Sequence, residues 1–142
     1  MKTYYVSSTS SDLVIQYDFF IGDSGFNKPK PVSLKGYKAK LILECTKQVL
    51  VNQKSQIIEF SSDDTSTIVQ VKDNKVFIQL SNETFTQSLY RAKLTLESAQ
   101  YRLPISFFNI IISPYTSYDE GLKTEVYNFT EKSFSLFNIN RD

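Results

Sequence analysis

Few side chains in this sequence are equipped for chemistry. They are two carboxylate pairs, one thiol and a large set of aromatic rings. The acid pairs are Asp63-Asp64, in a Ser/Thr-rich stretch, and Asp119-Glu120, just before Gly121. Either has the residue types to hold a cation or to divide acid and base roles. A calcium loop needs oxygen ligands at alternating positions, and residues 61–67 supply too few. Asp in a turn also bonds its own backbone, so both pairs are expected to be solvated turns. Cys45 is the single cysteine, and one thiol makes neither an internal disulfide nor a zinc site. It continues an alternating apolar series, which predicts a buried, inert thiol. There is no histidine. That removes Ser-His-Asp and Cys-His arrangements, His metal sites and the usual base near neutral pH. The glycines at 22, 25, 36 and 121 are scattered and build no phosphate loop. No catalytic, cofactor-binding or metal-binding residue is assigned, and neither an enzyme activity nor a cofactor is expected.

The rings are the other resource. Aromatic residues make up 14% of the chain, all Phe and Tyr. Tyr4-Tyr5, Phe19-Phe20, Phe107-Phe108 and the Tyr115/Tyr118 pair are candidates for a glycan-stacking platform. Neighbours in a strand point to opposite faces. Each adjacent pair is therefore expected to give one core ring and one partly exposed ring, which favours core or protein interface over glycan binding.

These residues must be positioned by strands, because the dominant period is two. In residues 37–45 the odd positions, from Tyr37 to Cys45, are apolar, and the even ones, Lys38, Lys40, Ile42 and Glu44, make a largely wet face. In residues 90–97, Tyr90, Ala92, Leu94 and Leu96 are expected inward and Arg91, Lys93, Thr95 and Glu97 outward. Val76, Ile78 and Leu80 repeat the pattern. Residues 13–21 make a further strand, and 48–52 and 55–60 two short ones. Asp73-Asn74 reads as a tight hairpin turn, with Asn74 suited to the left-handed conformation. Ser98-Ala99 separates the last two strands of the middle region. Pro104 cannot donate to a ladder, so it belongs at an edge or a bulge. Residues 107–112 are apolar on both faces, as in a covered central strand or an interface strand. Residues 82–88 are the best candidate for a helical turn. Several short strands with regular turn signals predict an all-β antiparallel sandwich.

With 142 residues the chain suits one domain. A net charge of +1 carries no nucleic-acid footprint and no polybasic cluster for an anionic membrane. No run approaches the ~18 apolar residues of a membrane span, and the N-terminus has no apolar signal-peptide region. Neither nucleic acid nor membrane is expected as a partner, and synthesis in the cytoplasm is expected.

The middle of the chain resembles phage virion domains of small tail and baseplate proteins, similar in pattern to the N-terminal domain of baseplate upper proteins. Three stretches carry the likeness. Residues 31–41, Pro-Val-Ser-Leu-Lys-Gly-Tyr-Lys-Ala-Lys-Leu, look like that family's glycine-tyrosine entry into a strand. Residues 72–84 look like its hairpin followed by a Ser-x-x-Thr turn. Residues 89–116 look like its closing hairpin, with Tyr101-Arg102 near the turn and Ser113-Pro114 at the end. The likeness covers residues 32–116. Lys35 stands where Thr or Ser is usual, and Asn74 where Gly is usual. It implies an Ig-like sandwich with a scaffolding role, located in the virion and acting through contacts with other virion proteins and copies of itself. Gly36 and Tyr37 would then be structural. A capsid-decorating or head-fibre protein, and a carbohydrate-binding adhesion module, are the alternatives.

Residues 117–142 lie beyond this sandwich, taken as residues 1–116. They carry Val126, Tyr127, Phe129, Phe134, Leu136, Phe137 and Ile139, too many apolar side chains for a disordered tail. Either residues 125–130 and 133–138 add strands to the sandwich's own edge, or they form an arm that packs on a neighbouring subunit. In the arm reading Tyr127, Phe129, Phe134 and Phe137 are the interface anchors.

Overall fold

A computed structural model describes residues 2–7, 12–22, 30–45, 56–81, 89–113 and 122–129. Within them the chain forms ten strands: β1 (Lys2–Ser7), β2 (Leu13–Ile21), β3 (Lys30–Pro31), β4 (Lys38–Cys45), β5 (Gln56–Ser61), β6 (Val69–Lys72), β7 (Lys75–Leu80), β8 (Leu89–Glu97), β9 (Arg102–Ser113) and β10 (Lys123–Phe129). Sheet A runs β1-β9-β8-β4-β5, and sheet B runs β10-β2-β7-β6 with β3 beside β2. The two sheets share one core, so the fold is the expected β-sandwich. No helix among the described residues is long and apolar enough to cross a membrane. The helical turn expected over 82–88, the short strand over 48–52 and the strand over 133–138 lie outside the described residues.

The alternation in the sequence becomes the burial pattern. Ala39, Leu41, Leu43 and Cys45 of β4 lie beside Tyr90, Ala92, Leu94 and Leu96 of β8 on the inner side of sheet A, in one core with Ile15, Tyr17 and Phe19 of β2, and Tyr37 packs against it. Full burial of a Leu or Ile contributes roughly 1.5–3 kcal/mol. Because the period is two, a slip of one residue in the pairing of β4 with β8 would expose this whole set.

Two turns fix the entry strands. Tyr37 N donates to Leu34 O at 3.0 Å, with Gly36 at φ 89°. A glycine in the third position of such a turn supplies the positive φ that a side chain resists. The hairpin from β6 to β7 does turn at Asp73-Asn74, but the left-handed residue is Asp73, at φ 55°. Asn74 is tied to β2 instead. Its backbone carbonyl accepts from Phe19 N at 2.8 Å, and its side-chain amide donates to Phe19 O at 3.2 Å.

Pro104 meets both conditions set for it. The β8–β9 register shifts between Leu94 and Thr95, so that Leu94 faces Ser106 while Thr95 faces Pro104. Ile105 is the extra residue of this bulge. On its other side β9 pairs with β1 only from Phe108 onward, so among the described residues that side carries no ladder at Pro104. The irregularity also changes the outer face. Thr95 and Glu97 are expected to be exposed, yet both are buried. Thr95 is flanked by Lys40 and Pro104 on the neighbouring strands, and Arg102 Nε reaches Glu97 Oε1 at 3.0 Å.

β10 lies in sheet B, paired in parallel with β2 from Lys123 opposite Ile15 to Phe129 opposite Ile21. Of the expected extension, residues 123–129 thus add a strand to the sandwich's own edge. β1 likewise joins β9 in parallel. Among the described residues β1 and β10 are sheet edges, on one side of the sandwich, and neither parallel pair is visible in local alternation.

Candidate interface

Strand geometry divides each adjacent aromatic pair as expected. Tyr4, Phe19 and Phe108 are core residues, while Tyr5 and Phe107 are exposed and Phe20 is partly covered. Tyr4 meets Phe108 edge to face, with centroids 5.3 Å apart. Tyr115 and Tyr118 lie outside the described residues.

The exposed rings collect on the outer face of sheet A. Tyr5, Ile111 and Leu89 stand opposite one another on β1, β9 and β8, making one row across three strands. Two steps along β9 from Ile111 is Asn109, opposite Thr3 and Arg91, and two further is Phe107 opposite Lys93. The Lys93 ammonium sits 5.5 Å from the Phe107 ring centroid. Ile57 extends the face on β5. Tyr5, Leu89, Phe107 and Ile57 are between 41% and 59% exposed. Scattered apolar exposure is ordinary, but a row of large apolar side chains on one sheet face, bordered by charge, has the composition of a contact surface.

A second cluster holds the terminal strands together. Glu125 of β10 lies on the same side of its strand as Tyr127 and Phe129, towards the other sheet. The Lys2 ammonium ion-pairs with its Oε1, and the Tyr4 hydroxyl donates to that atom at 2.8 Å. Burial pushes the Glu125 carboxyl up, but the Lys2 and Tyr4 hydrogen bonds and the Lys2 charge outweigh it and hold the group below the usual carboxylate range. Burial, reinforced by the Glu125 hydrogen bond, drives the Tyr4 phenol far above its ordinary value. The buried Tyr17 hydroxyl lies near those of Tyr4 and Ser106 but in hydrogen-bond geometry with neither. Its phenol too is raised, chiefly by burial. This clasp joins β1 of sheet A to β10 of sheet B through side chains alone.

The expected interface anchors fall differently. Phe129 is fully buried in its own sandwich, and Tyr127 packs beside it. Their rings lie 6.0 and 5.6 Å from Phe19 and 5.0 Å from each other. Parallel pairing with β2 puts the odd positions of β10 under Phe19, so these rings serve the chain's own core. Phe134 and Phe137 lie outside the described residues. The large apolar side chains that this face exposes, Tyr5, Leu89 and Phe107, were legible only as the outward members of apolar strands.

The carboxylate pair Asp63-Asp64 is occupied by its own turn. Asp64 Oδ2 accepts from Ser61 N at 2.9 Å and Asp64 N donates to Ser61 O at 3.1 Å. Asp63 accepts from the Ser61 hydroxyl and faces Lys38 Nζ at 3.7 Å. The Ser61 bond, helped by Lys38, holds Asp63 below the usual carboxylate range. No group of three or more metal-ligating side chains occurs among the described residues, and Asp119-Glu120 lie outside them. Cys45 is buried. No family model matches the chain, and no curated protein matches it.

Proposed function

We propose that this chain is a non-enzymatic structural protein of a phage virion, of the tail, baseplate or a fibre attachment site, working through protein–protein contacts made by the outer face of sheet A. The observation that carries the contact is the apolar row Tyr5–Ile111–Leu89 with Phe107 beyond it. The placement in a virion rests on the resemblance over residues 32–116. Thr3, Asn109, Arg91 and Glu44 form a polar row between Tyr5–Ile111–Leu89 and Phe107, so a partner that covers the rings also pairs with these groups. Mass spectrometry of gradient-purified particles is expected to find the chain in fixed stoichiometry, and Leu89→Asp with Phe107→Asp to remove it from particles while leaving its fold intact. Recovery only from the infected-cell lysate counts against the reading.

One observation favours a second reading, a carbohydrate-binding adhesion module. Asn109 lies between the exposed Phe107 and the Tyr5 row, as an aromatic platform with amide ligands requires. A glycan array separates the two. Binding that Phe107→Ala abolishes supports the module, and a blank array supports the contact protein.

A further inference from the structure

β1 adds little to the core. Among the described residues its one strand neighbour is β9, and of its described side chains only Tyr4 and Val6 are buried. Across the sheets it is tied to β10 at a single atom. The Lys2 ammonium and the Tyr4 hydroxyl both meet Oε1 of Glu125, the hydroxyl at 2.8 Å. Both bonds therefore depend on one ionisation. The closed arrangement also carries a cost, since the Tyr17 hydroxyl is buried there with no hydrogen-bond partner among the described residues. Lifting β1 lets water reach it.

We propose that Glu125 is an acid-operated latch for β1: protonating its carboxylate releases Lys2 and weakens the Tyr4 bond, so that β1 lifts from β9 while the rest of the sandwich stays folded. Proteins open locally where few apolar side chains are buried. The lifted strand bares the flank of β9 from Phe108 to Ser113 and the core seats of Tyr4 and Val6. The titratable groups around Glu125 are Lys2 and Tyr4 of β1, Tyr17 of β2, and Lys123 and Tyr127 on the same side of β10. The inward face of β9 carries no titratable group. Among the described residues none of these is a second carboxylate, and neither Lys nor Tyr titrates in the acid range. Lys2 and Tyr4 hold Glu125 below the usual carboxylate range despite its burial. The latch is therefore shut above about pH 5 and loosens as pH falls through the folded value.

The inference goes beyond the contact reading and does not depend on it, since it is tested on the purified full chain. Amide hydrogen exchange, corrected for intrinsic rates, is followed from about pH 6 to about pH 3, with β8 in the middle of sheet A as internal standard. The β1 amides are expected to lose protection relative to β8 by roughly tenfold over that range. Glu125→Gln and Tyr4→Phe are each expected to show the lowered ratio already at the higher pH, and Glu125→Gln to respond no further to acid. Asp18→Asn, which removes a carboxylate from the outer face of sheet B, is expected to leave the response intact. Equal protection of β1 and β8 at every pH overturns the inference, because β1 then opens only with the whole fold. So does a ratio that does not change with pH, a Glu125→Gln chain whose ratio still falls with acid, a Tyr4→Phe chain that keeps the wild-type ratio, or an Asp18→Asn chain that has lost the response.

Discussion

At the scale of single residues, the clasp is where ionisation and stability meet. The folded-state value of Glu125 lies below its ordinary 4.5. Its stabilising contribution is therefore complete above that range and is lost as pH falls through the folded value. Asp18 follows the same rule. Burial raises it, but the hydrogen bonds from Lys75, at 2.7 Å, and Gln16, with the Lys75 charge, hold it below the usual range. The melting temperature is expected to decline as pH drops below about 4. Lys2 is more than half exposed and its share is screened, so the Tyr4 bond is the larger part. Tyr4→Phe is expected to cost about 1–2 kcal/mol at neutral pH by denaturant unfolding. Glu125→Gln is expected to cost a similar amount and to flatten the acid decline. An acid decline of unchanged steepness in Glu125→Gln would assign it to Asp18 and the other carboxylates. Cys45, buried on β4, is expected to resist a thiol reagent until denaturant is added; prompt labelling of the native chain would contradict its placement.

The elements separate what the sequence discloses from what it conceals. β2, β4, β7 and β8 were legible because each alternates, and the alternation maps onto burial everywhere but at the end of β8. The Asp73-Asn74 hairpin and the bulge at Pro104 were legible because turn chemistry and a missing N–H are local facts. Thr95 and Glu97 were not, because their burial depends on a neighbouring strand going out of register. The aromatic pairs were half legible: strand geometry requires the split between faces, but which ring faces out depends on register. β10 was ambiguous for a different reason. Its apolar odd positions demand burial without naming the sheet, and a parallel partner 108 residues away leaves no mark nearby (Lys123 opposite Ile15, 123 − 15). The arm reading of Tyr127 and Phe129 came from that gap. Truncation after Thr116 now has a definite outcome. It removes Phe129 and Tyr127 from the core and uncovers Phe19, each large side chain contributing roughly 1.5–3 kcal/mol. The shortened chain is expected to melt many degrees lower or to be insoluble. A shortened chain as stable as the full one would mean that β10 is dispensable.

As a whole molecule, the sandwich is held by one continuous core, with a clasp where β1 and β10 meet. Reductant is expected to leave its melting temperature unchanged, since one cysteine forms no internal bridge. The parallel pairing of β1 with β9 and of β10 with β2 has a consequence for biosynthesis. A ribosome releases β2 about a hundred residues before β10, so one flank of β2 lacks its cognate strand over that whole interval. β1 waits about as long for β9. During elongation both flanks are open templates for strands of other nascent chains, and long-range pairing of this kind closes slowly. Polysomes crowded with this message therefore favour mispairing between neighbouring chains, and the yield of native protein should rise when translation is slowed or initiation is made sparse.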